Sequence, residues 1–176
     1  MKKNLILIML AFLMVSCAST PEIVDSNNIA TLTDTPAIQF NTSGWSYTNT
    51  TNPFLLTPDY LTNAMLGVSR LKPNEAFPDN GPVVPSELNS EVITELLRKK
   101  LSGKENLAIS STNINGRPVI VATYISSNKN GIEYAFSLNS HLVHVLLLAT
   151  PGNYYQQGKL VSEKLVGSIN EYVPKT

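Results

Sequence analysis

The chain has 176 residues, 43% of them hydrophobic, which suits one ordinary domain with a buried core and leaves little room for a second. Setting aside Lys2 and Lys3 at the extreme N-terminus leaves 11 basic side chains against 13 acidic ones, a balance of about −2. Such a chain lacks the positive field that a phosphate backbone requires, which argues against nucleic-acid binding, and its single cysteine excludes an intrachain disulfide.

Lys2 and Lys3 precede an almost unbroken apolar run over residues 5–15, the layout of a secretory signal. The run is too short to cross roughly 30 Å of hydrocarbon as a helix. It continues into Ser16, Ser19 and Thr20, not into a charged stop-transfer cluster, so residues 1–16 are expected to be removed. Cys17 follows Met14-Val15-Ser16 directly, and this segment resembles the bacterial lipobox, although Met14 and Val15 depart from the usual Leu-Ala or Leu-Ser. The resemblance implies a thioether-linked diacylglycerol on Cys17 and a further acyl chain, such as palmitate, on the amine that cleavage frees. Several chains hold a protein far better than one, at about 0.8 kcal/mol per buried CH₂. Ala18 and Ser19, with no aspartate after the cysteine, resemble the pattern of lipoproteins passed to the outer membrane, with the domain facing the periplasm. The competing reading is an ordinary secretory signal cut near Ser16 or Ser19.

Residues 19–34 are small and polar without a sustained period, so residues 17–36 read as a lipidated N-terminus and flexible tether. Residues 37–173 then form a single α+β domain. Ile38 and Phe40 alternate in a first short strand, and Thr42-Ser43-Gly44 turns the chain into a second carrying Trp45 and Tyr47. Residues 48–58 read as loop, and a strand is favoured over residues 65–71. Four prolines in residues 72–85 rule out regular structure there. A helix is predicted next, with Ser86 as its cap and Glu87 in its first turn. Its apolar stripe is Leu88, Val92, Ile93, Leu96, Leu97 and Leu101; Gly103 ends it, and Arg98-Lys99-Lys100 lie on the solvated side. Four strand signals follow, over residues 107–114, 117–126, 132–138 and 141–150. Asn115-Gly116 and residues 128–131 make their reversals, which implies an antiparallel meander. Val161, Leu165, Ile169 and Tyr172 repeat at helical spacing, so a terminal helix is predicted to run to Tyr172. The sum is an antiparallel sheet flanked by two main helices.

This order of elements resembles the PsbP-like or Mog1-like α/β/α sandwich. The likeness rests on Phe40, Gly44 and Trp45, on Ile114-Asn115-Gly116-Arg117-Pro118, on the strand from Tyr134 to Phe136, and on Ser168-Ile169. It covers residues 37–172. Members are mostly accessory or interaction proteins, and the resemblance carries over no catalytic residue.

Nothing in the residues themselves points to an enzyme. His141 and His144, three apart on a strand, fall on opposite faces and are poorly placed to share a metal. Ser126 and Lys129 have the Ser-x-x-Lys spacing of penicillin-recognising enzymes, but in a hairpin turn and without that family's companion motifs. No phosphate loop, dinucleotide fingerprint, zincin helix or calcium loop is present. No catalytic, cofactor or metal residue is therefore expected, and the one assigned site is lipidation at Cys17. Trp45, Tyr47, Phe54, Tyr60 and Phe77 flank the Pro- and Asn-rich loops and either pin them to the sheet or line a groove. The expectation is a non-enzymatic accessory or protein-interaction module, anchored in the membrane by lipid and meeting an envelope protein as partner. The alternative is a small-ligand carrier or sensor, which requires a concave pocket between sheet and helix.

Overall fold

The computed structural model describes residues 23–24, 27–33, 37–49, 53–59, 64–71 and 88–173. In chain order the elements are β1 (Ile23–Val24), β2 (Ile29–Leu32), β3 (Ile38–Asn41), β4 (Trp45–Asn49), β5 (Phe54–Pro58) and β6 (Ala64–Leu71), then α1 (Ser90–Lys100). After it come β7 (Glu105–Ile114), β8 (Arg117–Ser126), β9 (Lys129–Leu138), β10 (His141–Ala149), α2 (Asn153–Ser168) and β11 (Asn170–Glu171). The fold is α+β. Its seven-stranded sheet has the order β4-β5-β6-β10-β9-β8-β7, and a four-stranded sheet has the order β1-β2-β3-β11. Every pairing among the described strands is antiparallel.

The predicted meander is present as β7 to β10. Asn115 and Gly116 both have positive φ (51° and 81°), which matches the right-handed twist of the strands they join. Ser127-Asn128 and Asn139-Ser140 reverse the chain with the same pair of left-handed residues. The connection from β6 through α1 to β7 runs from the middle of the sheet to its edge, and the meander returns to lay β10 against β6.

Several expectations are corrected. Part of the span read as a tether is β2, where Ala30 and Leu32 are fully buried and pair with β3. Four residues are too few to show a period in sequence, and the pairing partner supplies what periodicity does not. Residues 54–58, read as loop, form β5, with Phe54, Leu56 and Pro58 buried in alternation. Its prolines only frame it: Pro53 precedes the strand and Pro58 ends it, where a missing donor costs the ladder least. β3 and β4 are not a hairpin. The turn at Gly44 (φ 83°) carries the chain from the small sheet into the large one.

Helix α1 begins later than expected. Asn89, not Ser86, is its cap, and the Asn89 Oδ1 accepts the Val92 amide at 2.9 Å; Ser86 and Glu87 lie outside the described residues. Helix α2 stops at Ser168, so Tyr172 does not extend its stripe. Asn170 and Glu171 pair with β3 instead, and the Tyr172 amide donates to the Ala37 carbonyl at 3.0 Å.

Side chains alternate between two apolar clusters, as strand geometry requires. Val119, Ile132, Tyr134, Phe136, Val145 and Leu147 pack with Leu165, Val166 and Ile169 at the end of α2, and with Ile38 and Phe40 of the small sheet. Phe40 and Phe54 meet edge to face, centroids 5.5 Å apart, and so join the two sheets. Ile120, Ala122, Tyr124, Ala135 and Leu142 pack instead with Ile93, Leu96, Leu97 and Leu101 of α1.

Candidate functional site

β9 reads Ile132-Glu133-Tyr134-Ala135-Phe136, and all five residues are buried. A carboxylate inside such a run is costly unless it is paired and hydrogen-bonded. The register supplies the partners. Glu133 lies opposite Leu146 on β10, which places His144 on the diagonal, and opposite Ala122 on β8, which places Tyr124 on the other diagonal. Lys100, in the last turn of α1, reaches the same point from the helix above.

His144 Nε2 donates to Glu133 Oε2 at 2.6 Å, Lys100 Nζ donates to the same oxygen at 2.9 Å, and the Tyr124 hydroxyl donates to Oε1 at 2.9 Å. Lys100 Nζ lies 3.4 Å from His144 Nε2. Burial pushes the Glu133 carboxyl up. The His144 hydrogen bond and the charges of His144 and Lys100 outweigh burial and hold it at about 2, so it is ionised at neutral pH. Burial, then the Glu133 charge and hydrogen bond, raise the Tyr124 phenol far above its ordinary range, so it remains a donor. The Tyr124 ring reaches Glu133 by crossing β9 at Gly131, where any Cβ would stand 2.5 Å from the ring.

His144 also lines an apolar groove with Leu55, Met65, Gly67, Ser69, Leu146 and Leu148. These residues sit on β5, β6 and β10 on the same face that α1 covers over β7 to β9. Met65 is 46% exposed there. Gly67 pairs with Leu146, which leaves the floor open. The groove encloses about 160 Å³, below the roughly 300–1,000 Å³ of pockets that engulf small molecules. A second hollow, of about 310 Å³ and open to solvent, lies among Gly103, Lys104, Ile125 and Ser126, where Lys104 donates to the Ser126 hydroxyl at 2.9 Å.

Ser69 faces His144 across the β6–β10 ladder, with no hydrogen bond between their side chains. The arrangement is a buried carboxylate with both oxygens engaged, one imidazole pinned by it, and an apolar groove alongside.

Cys17, Tyr60 and Phe77 lie outside the described residues, as does the side chain of Tyr47. Trp45 and Phe54 are core residues, 6% and 0% exposed, and do not line the groove. His141 and His144 do not converge: the His141 Nδ1 bonds the Asn139 carbonyl in the turn at 2.8 Å. Among the described residues no group of three His, Cys, Asp or Glu is placed to hold a metal. Ser126 and Lys129 flank the β8–β9 turn. Lys100, expected on the solvated face of its helix, turns toward the sheet. Neither Glu133 nor its set was singled out from sequence; the signal was a single carboxylate in an otherwise apolar β run.

No protein-family model matches the chain, and no curated protein matches it. Among solved structures it is similar to a crystal structure from Bacteroides thetaiotaomicron, at 9% identity and a TM-score of 0.52 over 88% of this chain. The chain spans about half of that protein's length (49%). A cyanobacterial PsbP from Synechocystis is similar at 10% identity, TM-score 0.45, over 90% of this chain and 96% of the PsbP. A Pseudomonas aeruginosa protein of unknown function is similar at 11% identity, TM-score 0.41, over 75% of this chain and 98% of its own. The first of these is a likeness of fold; the other two are too slight to carry an argument.

Proposed function

We propose that this chain is an exported envelope lipoprotein, held to the membrane through Cys17, whose domain is a PsbP-like α/β/α sandwich serving as a non-enzymatic docking module for an envelope protein. The observation that carries the docking role is the apolar groove on β5, β6 and β10, beside the part of the sheet that α1 covers. Its volume favours the apolar anchor of a partner over an engulfed small ligand. The anchoring role is supported by the signal layout and the lipobox-like Met14-Val15-Ser16-Cys17. The non-enzymatic role is supported by the commitment of the His144 ring to Glu133, which leaves its Nε2 engaged. The PsbP-like assignment is supported by the element order and by the Asn115-Gly116 reversal into Arg117-Pro118.

Two experiments test this. Growing cells are labelled with a clickable fatty acid, and wild type is compared with Cys17→Ala after fractionation. Label and membrane association should both vanish in the variant; a variant that keeps either one removes the anchor. For docking, a photoreactive residue replaces Met65 in the groove or, as a control, the 62%-exposed Leu160 on α2. A discrete adduct with an envelope protein is expected at 65 only, and equal yields at both positions would overturn the role of the groove.

A further inference from the structure

β7 ends the main sheet, pairing with β8 on one side and with no other described strand. The Asn115-Gly116 turn closes on Ile114 and Arg117, which makes that couple a hydrogen-bonded pair. Bonding alternates along an antiparallel ladder, so Thr112 and Ser110 also bond toward β8. The main-chain N–H and C=O of Ile109, Ser111 and Asn113 therefore point away from the sheet.

Natural edges are blunted by lysine, proline, an inward charge or a bulge. The stretch from Ala108 to Ile114 has none of these. Its register against β8 is unbroken, and the β7 bulge falls earlier, between Glu105 and Ala108. Ala108, Ser110, Ser111, Thr112 and Asn113 are all exposed and uncharged. The opposite edge is shorter: β4 has five residues, and its register shifts between Tyr47 and Asn49, which leaves no comparable regular stretch.

We propose that β7 pairs antiparallel with β7 of a second copy of this chain, about a twofold axis at Ser111, joining two sheets into one. The stretch is self-complementary, which favours a second copy as its partner. An axis through a residue sets outward-pointing groups opposite outward-pointing groups, whereas an axis between residues sets them opposite groups already bonded to β8. Ser111 is the centre of the regular stretch, so all three outward residues find partners: Ser111 meets its own copy and Ile109 meets Asn113. No like charges face each other across this axis, the usual obstacle to self-pairing of an edge. The pairing does not involve the groove or the Glu133 set and stands apart from the docking role.

The test is site-directed oxidation in cells producing the full chain, with the wild type as the blank for Cys17. Ser111→Cys should form a disulfide-linked dimer, because residues facing each other in a bonded pair have Cα atoms about 5.5 Å apart. Ala108→Cys should not, because six residues of offset separate its two copies by roughly 20 Å. No dimer above the wild-type blank at 111, or equal dimer at 108, overturns the proposal. Sedimentation of the purified full chain provides the second measurement. The wild type should sediment as a dimer, and Ser111→Lys, which sets two ammonium groups across the axis, should shift it to monomer. A wild type that stays monomeric throughout the micromolar range overturns the proposal as well.

Discussion

Glu133→Gln keeps the shape of the side chain and removes its charge, and the Glu133 set fixes what should follow. The folded-state carboxyl is held at about 2, against an ordinary value of 4.5. A depressed folded value means that stability is fully present above pH 4.5 and is lost as pH falls toward 2, because the unfolded chain takes up the proton first. At 1.36 kcal/mol per pH unit, the difference corresponds to about 3 kcal/mol. Trp45, the only tryptophan and 6% exposed, is a natural reporter of unfolding. Urea melts followed by its fluorescence at pH 6 and pH 3 should show the wild type losing more stability than Glu133→Gln over that interval. At pH 6 the variant should be weaker by about 3 kcal/mol, the loss expected when one partner of a buried charge pair is removed. Parallel losses in the two proteins would show that Glu133 is not an ionised anchor, and the reasoning from its partners would fail.

Gly131→Ala should cost about 1–3 kcal/mol, because its Cβ displaces the Tyr124 ring and breaks the bond to Glu133. Tyr124→Phe, which keeps the ring and loses only the hydroxyl, should cost about 1 kcal/mol in the same melts, and a Gly131→Ala loss no larger than this would refute the steric argument. Asn89→Ala should lower stability by about 1 kcal/mol, whereas Ser86→Ala should change it little; the reverse order would return the cap to Ser86.

What was legible in the sequence was local. The Asn115-Gly116 reversal, the apolar stripe of Ile93, Leu97 and Leu101, and the strand signal over residues 117–126 are each written within a few residues, and each is present. What was missed depends on partners distant in the chain. β2 is a strand because β3 lies beside it, and Asn170 leaves the helical pattern because β3 offers it a ladder. The candidate site is of the same kind: Glu133, His144, Tyr124 and Lys100 come from four elements, and only the strand register and the packing of α1 on the sheet place them together. The odd carboxylate in Ile132-Glu133-Tyr134 was visible, but its partners were not.

The route of the chain from β6 through α1 to the far edge also sets an order of assembly. The hairpins from β7 to β10 join neighbours in sequence, but the β6–β10 ladder joins residues 71 to 85 positions apart. Closing so long a loop is slow relative to zipping a meander. The strands after α1 should therefore organise first and serve as the template on which β4 to β6 are laid down. In that case truncating Leu66 or Val68 should mainly quicken unfolding, while truncating Ile120 or Ala135 should slow folding. The groove beside His144, which needs β5, β6 and β10 together, is then completed last, and a destabilised chain loses it first.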